Sequence, residues 1–152
     1  MATTVNETVK DLVIINHDRY QGYKKAAEET KDADLKSLFT LLSTQSLEYA
    51  QDLKQHLDAE DAADLDLEDT KLSGKLYRVY MDLKSAITGR DRKAILSSCE
   101  YGEDVALQHY NEAMEDLHDG NGYSADVIDK IHKQYAEIKQ AHDRVKLMRD
   151  SL

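Results

Sequence analysis

Apolar residues recur along this chain at alternating steps of three and four, the spacing that returns to one side of an α-helix. Val5, Val9, Leu12, Tyr23 and Ala27 lie on one such stripe, with Asn16 and either Arg19 or Tyr20 between them, and predict a first helix over about 4–30. Thr4 and Glu7 have the spacing of a capping box at its start. Leu35, Leu38, Phe39, Leu42, Ser46, Tyr49, Leu53 and Leu57 predict a second helix over about 32–57, with Asp32 as its N-cap. Leu76, Val79, Tyr80, Leu83 and Ile87 mark a shorter helix over about 73–88, closed by Gly89. Asp91 then opens a long helix over about 91–118. Asp119-Gly120-Asn121-Gly122 is the strongest turn signal in the chain, after which Ser124 caps a last helix over about 124–150. No sustained period-two alternation occurs, so no strand is predicted.

The short joint after the first helix and the turn before the last each force an antiparallel hairpin. Residues 58–73 break the pattern: seven of these sixteen are Asp or Glu, which suits a solvated connection. A calcium loop built on Asp64, Asp66 and Glu68 fails, because the glycine of its sixth position is missing and Lys75 stands where a bidentate Glu is required. Two tight hairpins joined by a long connection that carries a short helix have the connectivity of an all-α, ferritin-like antiparallel four-helix bundle, with residues 1–152 as one domain.

One position on these stripes is out of keeping with the rest. Cys99, Glu103, Ala106, Tyr110 and Ala113 share a helix face, and Glu103 is the charged member. A carboxylate turned into a core costs several kcal/mol unless it is paired, hydrogen-bonded, protonated or bound to a metal. Counted back from the turn at 119–122, Glu103 lies level with Ile138 to His142, which makes His142 the expected partner. Asn16, Ser46, Tyr110 and Tyr135 are expected to complete a polar layer in the middle of the bundle. As metal ligands the same region offers Glu103, His142 and, one turn earlier, Glu100. A pair of irons draws on four carboxylates, and this core offers one, so the expected layer is hydrogen-bonded and holds no cofactor, iron or manganese being the alternative.

The other candidate chemistry has a plainer explanation. The tyrosines at 20, 23, 49, 110 and 135 suit core packing with the hydroxyl bonded, and Cys99 has no basic neighbour on its face to stabilise a thiolate. Gly22 and Gly102 mark close approach of a neighbouring helix. His17, His56, His109 and His132 share no face and are expected at the surface. Glu115-x-x-His118 falls at a helix end, where solvation is the simpler expectation.

Composition narrows the partners. Proline is absent, glycine numbers six, and the formal net charge of −10 opposes nucleic acid or an anionic membrane as main partner. A single cysteine forbids an internal disulfide and fits a reduced, cytoplasmic protein; the N-terminal residues lack a signal-peptide pattern, and no run nears the roughly 20 apolar residues of a membrane span.

Four strings carry a resemblance: Gly22-Tyr23-Lys24-Lys25-Ala26-Ala27-Glu28, Met81-Asp82-Leu83-Lys84-Ser85-Ala86-Ile87-Thr88-Gly89-Arg90-Asp91, Gly102-Glu103-Asp104 and Ala141-His142-Asp143-Arg144-Val145. Together they resemble a bacterial family catalogued as a domain of unknown function and described as ferritin-like four-helix bundles, over about Val5 to Asp150. The resemblance implies the fold and brings no reaction. The wider ferritin-like group, rubrerythrins included, holds two irons with Glu and Glu-x-x-His residues. Here the matching positions are Val13 or Asn16 on the first helix, Gln45 to Tyr49 on the second, Glu103 or Glu100 on the fourth, and Glu137 with His142 on the last, a degenerate di-iron site. The expected function is non-catalytic protein association, as a homodimer through the crossover helix with Tyr77, Tyr80 and the acidic loop near its surface, or with another protein. The alternative is a metal-binding ferritin-like oxidoreductase or storage protein.

Overall fold

The computed structural model describes residues 5–67, 72, 74–118 and 122–152, apart from the side chains of Lys75 and His118. Among the described residues the chain is all-helical, without strands: α1 (Val5–Glu29), α2 (Ala33–Lys54), α3 (Ala59–Ala63), α4 (Gly74–Thr88), α5 (Arg92–His118) and α6 (Ala125–Asp150). Thr4, Glu68, residues 119–121 and the side chain of His118 lie outside that description, and with them the capping box, the calcium loop, most of the turn and the Glu-x-x-His pair.

Helix ends follow local chemistry, with three departures from expectation. Asp91 and Ser124 accept from the N–H groups of Ala94 (3.1 Å) and Val127 (3.3 Å), capping α5 and α6 as expected. Asp32 has the extended backbone of an N-cap but makes no side-chain cap bond. Gly89 is not the left-handed residue that ends α4; Arg90 is, at φ 53°. The N–H groups of Arg90 and Asp91 donate to the carbonyls of Ile87 (3.0 Å) and Ala86 (3.1 Å), a Schellman closure with arginine where glycine is usual. The acidic connection is not merely solvated. Asp58 accepts from Asp61 N–H at 2.9 Å and starts α3, while Ala62, Leu65 and Leu67 pack against the core. Apolar residues spaced among seven carboxylates hid that helix.

Cross-helix pairs fix the directions. Thr8, Asp11, Asn16 and Arg19 of α1 meet Asp116, His109, Tyr110 and Glu103 of α5 in nearly reversed order, so the two run antiparallel. The same reversal holds for α2 against α6, where Tyr49 meets Glu137 and His56, just past the end of α2, meets Lys130. On α5 and α6, Asp104 meets His142 and Tyr110 meets Gln134. With the α1–α2 hairpin, these contacts close a ring α1–α2–α6–α5 in which every neighbour is antiparallel. α2 and α5 therefore run parallel, and the chain between them must travel back along the bundle.

α4 makes that return journey and packs against α1 and α5. Its approach to α5 is tight: a Cβ on Gly102 would stand 3.0 Å from Val79 Cγ1, which accounts for that glycine, whereas at Gly22 the nearest atom, on Tyr80, is 3.9 Å away. The apolar core comes in two parts. One gathers Leu12, Ile15, Tyr49, Leu53, Ala106, Tyr110, Ile131 and Ile138; the other gathers Tyr23, Leu35, Phe39, Leu83, Leu96, Cys99 and Val145. Each fully buried Leu, Ile or Phe contributes roughly 1.5–3 kcal/mol. Between the two parts, on α1, α2 and α5, stand Arg19, Gln45, Ser46 and Glu103, and that polar layer positions everything that follows. No helix among the described residues is long and apolar enough to cross a membrane.

Candidate functional site: a buried arginine–glutamate network

Glu103 is fully buried, as its stripe predicts, and its partner is Arg19. Arg19 Nε donates to Glu103 Oε2 at 3.0 Å and Nη2 to Oε1 at 2.9 Å, a two-pronged pair in which each carboxylate oxygen takes its own N–H. Arg19 is itself only 2% exposed. Two further donors are engaged, Nη1 to Asn16 Oδ1 (3.0 Å) and Nη2 to Gln45 Oε1 (3.2 Å), so four of the five N–H groups are bonded. Asn16 Nδ2 donates to the Leu12 carbonyl (2.9 Å) and to the Tyr110 hydroxyl (2.7 Å), which donates to Gln134 Oε1 (2.6 Å). One connected chain of bonds thus ties α1, α2, α5 and α6 together. The Tyr23 hydroxyl adds a further hydrogen bond to Glu103.

Electrostatics agree with this geometry. Burial pulls the Arg19 guanidinium down, but the adjacent Glu103 carboxylate outweighs it and holds the group above the ordinary arginine range. Burial and then Glu103 push the Tyr23 hydroxyl and the Cys99 thiol well up, and burial does the same to Tyr110. None of these groups is poised to exchange a proton near neutral pH. A cavity of about 30 Å³ lies between α1, α4 and α5, lined by Arg19, Tyr23, Tyr80, Cys99 and Gly102 among others. That is room for about one water, not for a substrate.

His142 does not reach Glu103. α6 buries Val127, Ile131, Gln134, Ile138 and Val145, and His142 sits at the edge of that stripe on the α5 side. There its Nε2 lies 2.8 Å from Asp104 Oδ1 and 3.8 Å from Glu100 Oε1, while Nδ1 lies 2.9 Å from Asp143 Oδ1. Asp104 is rotated by about 100° from Glu103 around the helix, enough to leave the core. Glu100 is also held by Arg149. The expected set Glu103, His142 and Glu100 is therefore split: the last two come together at the outer edge, and Glu103 turns inward alone.

Of the expected core layer, the structure brings three residues together. Asn16, Glu103 and Tyr110 belong to the network. Ser46 is buried in the same layer, but its hydroxyl donates to the Leu42 carbonyl of its own helix (2.6 Å). Tyr135 packs at the rim of the apolar core, and its neighbour Gln134 is the α6 member instead. His132 is exposed as expected, but His17, His56 and His109 are half-buried, His109 against Asp11 at 2.8 Å and His56 against Lys130 at 2.9 Å. The residues that sequence reasoning missed are Arg19, Gln134 and Asp104. Arg19 had a signal: it falls on the spacing Leu12, Asn16, Arg19, Tyr23, and it is opposite in charge to the one carboxylate on a facing stripe.

These features define a protein that is all-helical among the described residues and holds a buried internal ion-pair network. Residues 4–116 match the family described as a domain of unknown function (DUF2383), and the chain belongs to that family. The matched span includes Arg19, Gln45 and Glu103; Gln134 and His142 lie beyond it. No curated protein and no solved structure matches the chain.

Proposed function

We propose that the chain is a cytoplasmic, ferritin-like four-helix bundle without catalytic activity, which acts by associating with another protein, most simply a second copy of itself. Its middle layer is a degenerate metal site in which the Arg19 guanidinium supplies the positive charge that an ion supplies in di-iron bundles. The observation that carries this reading is the two-pronged Arg19–Glu103 pair, whose carboxylate oxygens are both already bonded. Antiparallel neighbours with a long return between α2 and α5 support the ferritin-like topology.

Association finds support on the outer face of α4. Tyr77 and Met81, four residues apart, are 54% and 42% exposed, and Tyr101 stands out on α5; Tyr80, expected on this face, is instead buried with its hydroxyl donating to Glu29 Oε1 at 2.9 Å. Arg78 and Asp82 flank them with opposite charges, so the face can pair with itself across a twofold axis, arginine to aspartate, where the net charge of −10 otherwise repels a second copy. Elemental analysis of protein purified without added metal, beside a Glu103→Gln variant, tests the core assignment. The expected result is no iron or manganese that depends on Glu103. Stoichiometric metal lost in the variant would favour the metal-dependent oxidoreductase or storage protein instead.

A further inference from the structure

The contact between α5 and α6 holds a second cluster, separate from the core network. Glu100 and Asp104, one turn apart on α5, face His142 on α6, and one ligand atom from each lies within 4.8 Å of the others. The imidazole is nearly buried, at 12% side-chain exposure, whereas Asp104 is 54% exposed, so the site opens to solvent on one side only.

The surroundings are arranged as those of a metal ligand are. Asp143 Oδ1 lies 2.9 Å from His142 Nδ1 and 2.9 Å from Lys139 Nζ, which fixes the ring and leaves Nε2 turned towards the two α5 carboxylates. A carboxylate on the far nitrogen is the usual orienting partner of a metal-bound histidine. Arg149 holds one oxygen of Glu100, and the other faces the imidazole. Four carboxylates (Glu100, Asp104, Asp143 and Asp150) and two basic side chains, Lys139 and Arg149, are linked around the imidazole. A divalent ion would offset the excess of carboxylates.

We infer that Glu100, Asp104 and His142 form a surface site for a divalent transition-metal ion, held by one imidazole nitrogen and two carboxylate oxygens with water filling the open positions. Bonds of about 2.0–2.2 Å place ligand atoms roughly 3–3.5 Å apart, a spacing bracketed by the 2.8 Å and 3.8 Å from His142 Nε2 to Asp104 and Glu100. The mixed nitrogen and oxygen set suits Zn²⁺ or Mn²⁺ better than the all-oxygen Mg²⁺ or Ca²⁺. None of the three ligands belongs to the core network, so this inference does not rest on the function proposed above.

Calorimetric titration of Zn²⁺ into the untagged, metal-free chain tests it, with a melting curve recorded at saturation. The expected result is one ion per chain and a raised melting temperature, with affinity falling at least tenfold in His142→Ala and in Asp104→Asn. His109→Ala, which alters the other histidine–carboxylate groove, should bind as the wild type does. Absence of stoichiometric binding would overturn the inference, and so would binding that survives both ligand variants. Binding abolished by Glu103→Gln but not by His142→Ala would move the ion to the core and overturn both this inference and the core assignment. Loss in His142→Ala alone leaves the core assignment untouched.

Discussion

Replacing Arg19 with methionine keeps most of the side chain's bulk and removes its charge from a site where Glu103 has nothing else of opposite sign bonded to it. Removing one partner of a buried ion pair costs about 3–5 kcal/mol, because the other charge is left uncompensated. The carboxyl has one escape, which is to take up a proton. Neutralising a carboxyl of ordinary glutamate pKa, near 4.3, at pH 7 costs about 3.7 kcal/mol, and this caps the penalty. Arg19→Met should therefore lose about 3–4 kcal/mol at pH 7, a large share of the ~5–15 kcal/mol that holds a domain together. The melting temperature should fall by roughly 6–16 °C for a chain of this size. The sign with pH follows from linkage. In the variant the folded state favours the protonated acid, so stability is retained below about pH 4.3 and lost as pH rises, and the deficit should shrink by up to about 1.4 kcal/mol per unit between pH 7 and 5. Arg19→Met combined with Glu103→Leu should recover most of the loss, since an apolar replacement of a buried pair is often neutral or stabilising. Urea unfolding followed by circular dichroism at the two pH values supplies the three free-energy differences, and a thermal melt supplies the temperature shift. A single-variant cost below about 1 kcal/mol, or a deficit that does not change with pH, would refute the reasoning.

Further predictions rest on other parts of the fold. Gly22→Ala should stabilise by about 0.5–1 kcal/mol, whereas Gly102→Ala, whose methyl would meet Val79 at 3.0 Å, should destabilise; the order of the two denaturation midpoints checks this. Arg90→Gly should gain about 0.5–1 kcal/mol, because glycine adopts the left-handed conformation at φ 53° without a Cβ clash, again read from the unfolding midpoint. Burial holds the Tyr23 and Tyr110 hydroxyls neutral beyond the ordinary tyrosine value of 10.0. The unfolded chain gives up those protons first, so stability should fall as pH climbs above 10, with tyrosinate absorbance appearing only as helicity is lost.

Most of the helical framework was legible because each stripe has one period and few residues oppose it. Cys99, Glu103, Ala106, Tyr110 and Ala113 could be placed in the core from spacing alone, and all five are buried. The partner of Glu103 was less legible, because a charged residue on an amphipathic helix is normally assigned to water. Arg19 and Tyr20 are adjacent, and hydropathy favours the tyrosine; the need of a buried carboxylate for a cation favours the arginine. His142 misled for a geometric reason. Level position along the bundle axis was right, since it meets Asp104, but rotation about the axis decides between core and edge, and one residue changes it by about 100°. α3 was hidden by its own charge, as five residues give too little periodicity to stand out among carboxylates. Arg90 in place of Gly89 was out of reach, because both residues can end a helix and only backbone angles tell them apart.

The central claim is that Arg19, not an ion, meets Glu103 in the middle of the bundle. An anomalous difference map from crystals grown with excess Mn²⁺ tests this most directly. The account predicts Arg19 Nε and Nη2 on the two Glu103 oxygens near 3.0 and 2.9 Å with no anomalous peak between them, and it accommodates a peak beside His142 at the α5–α6 edge. A manganese peak bonded to Glu103, with the guanidinium swung away, would contradict it.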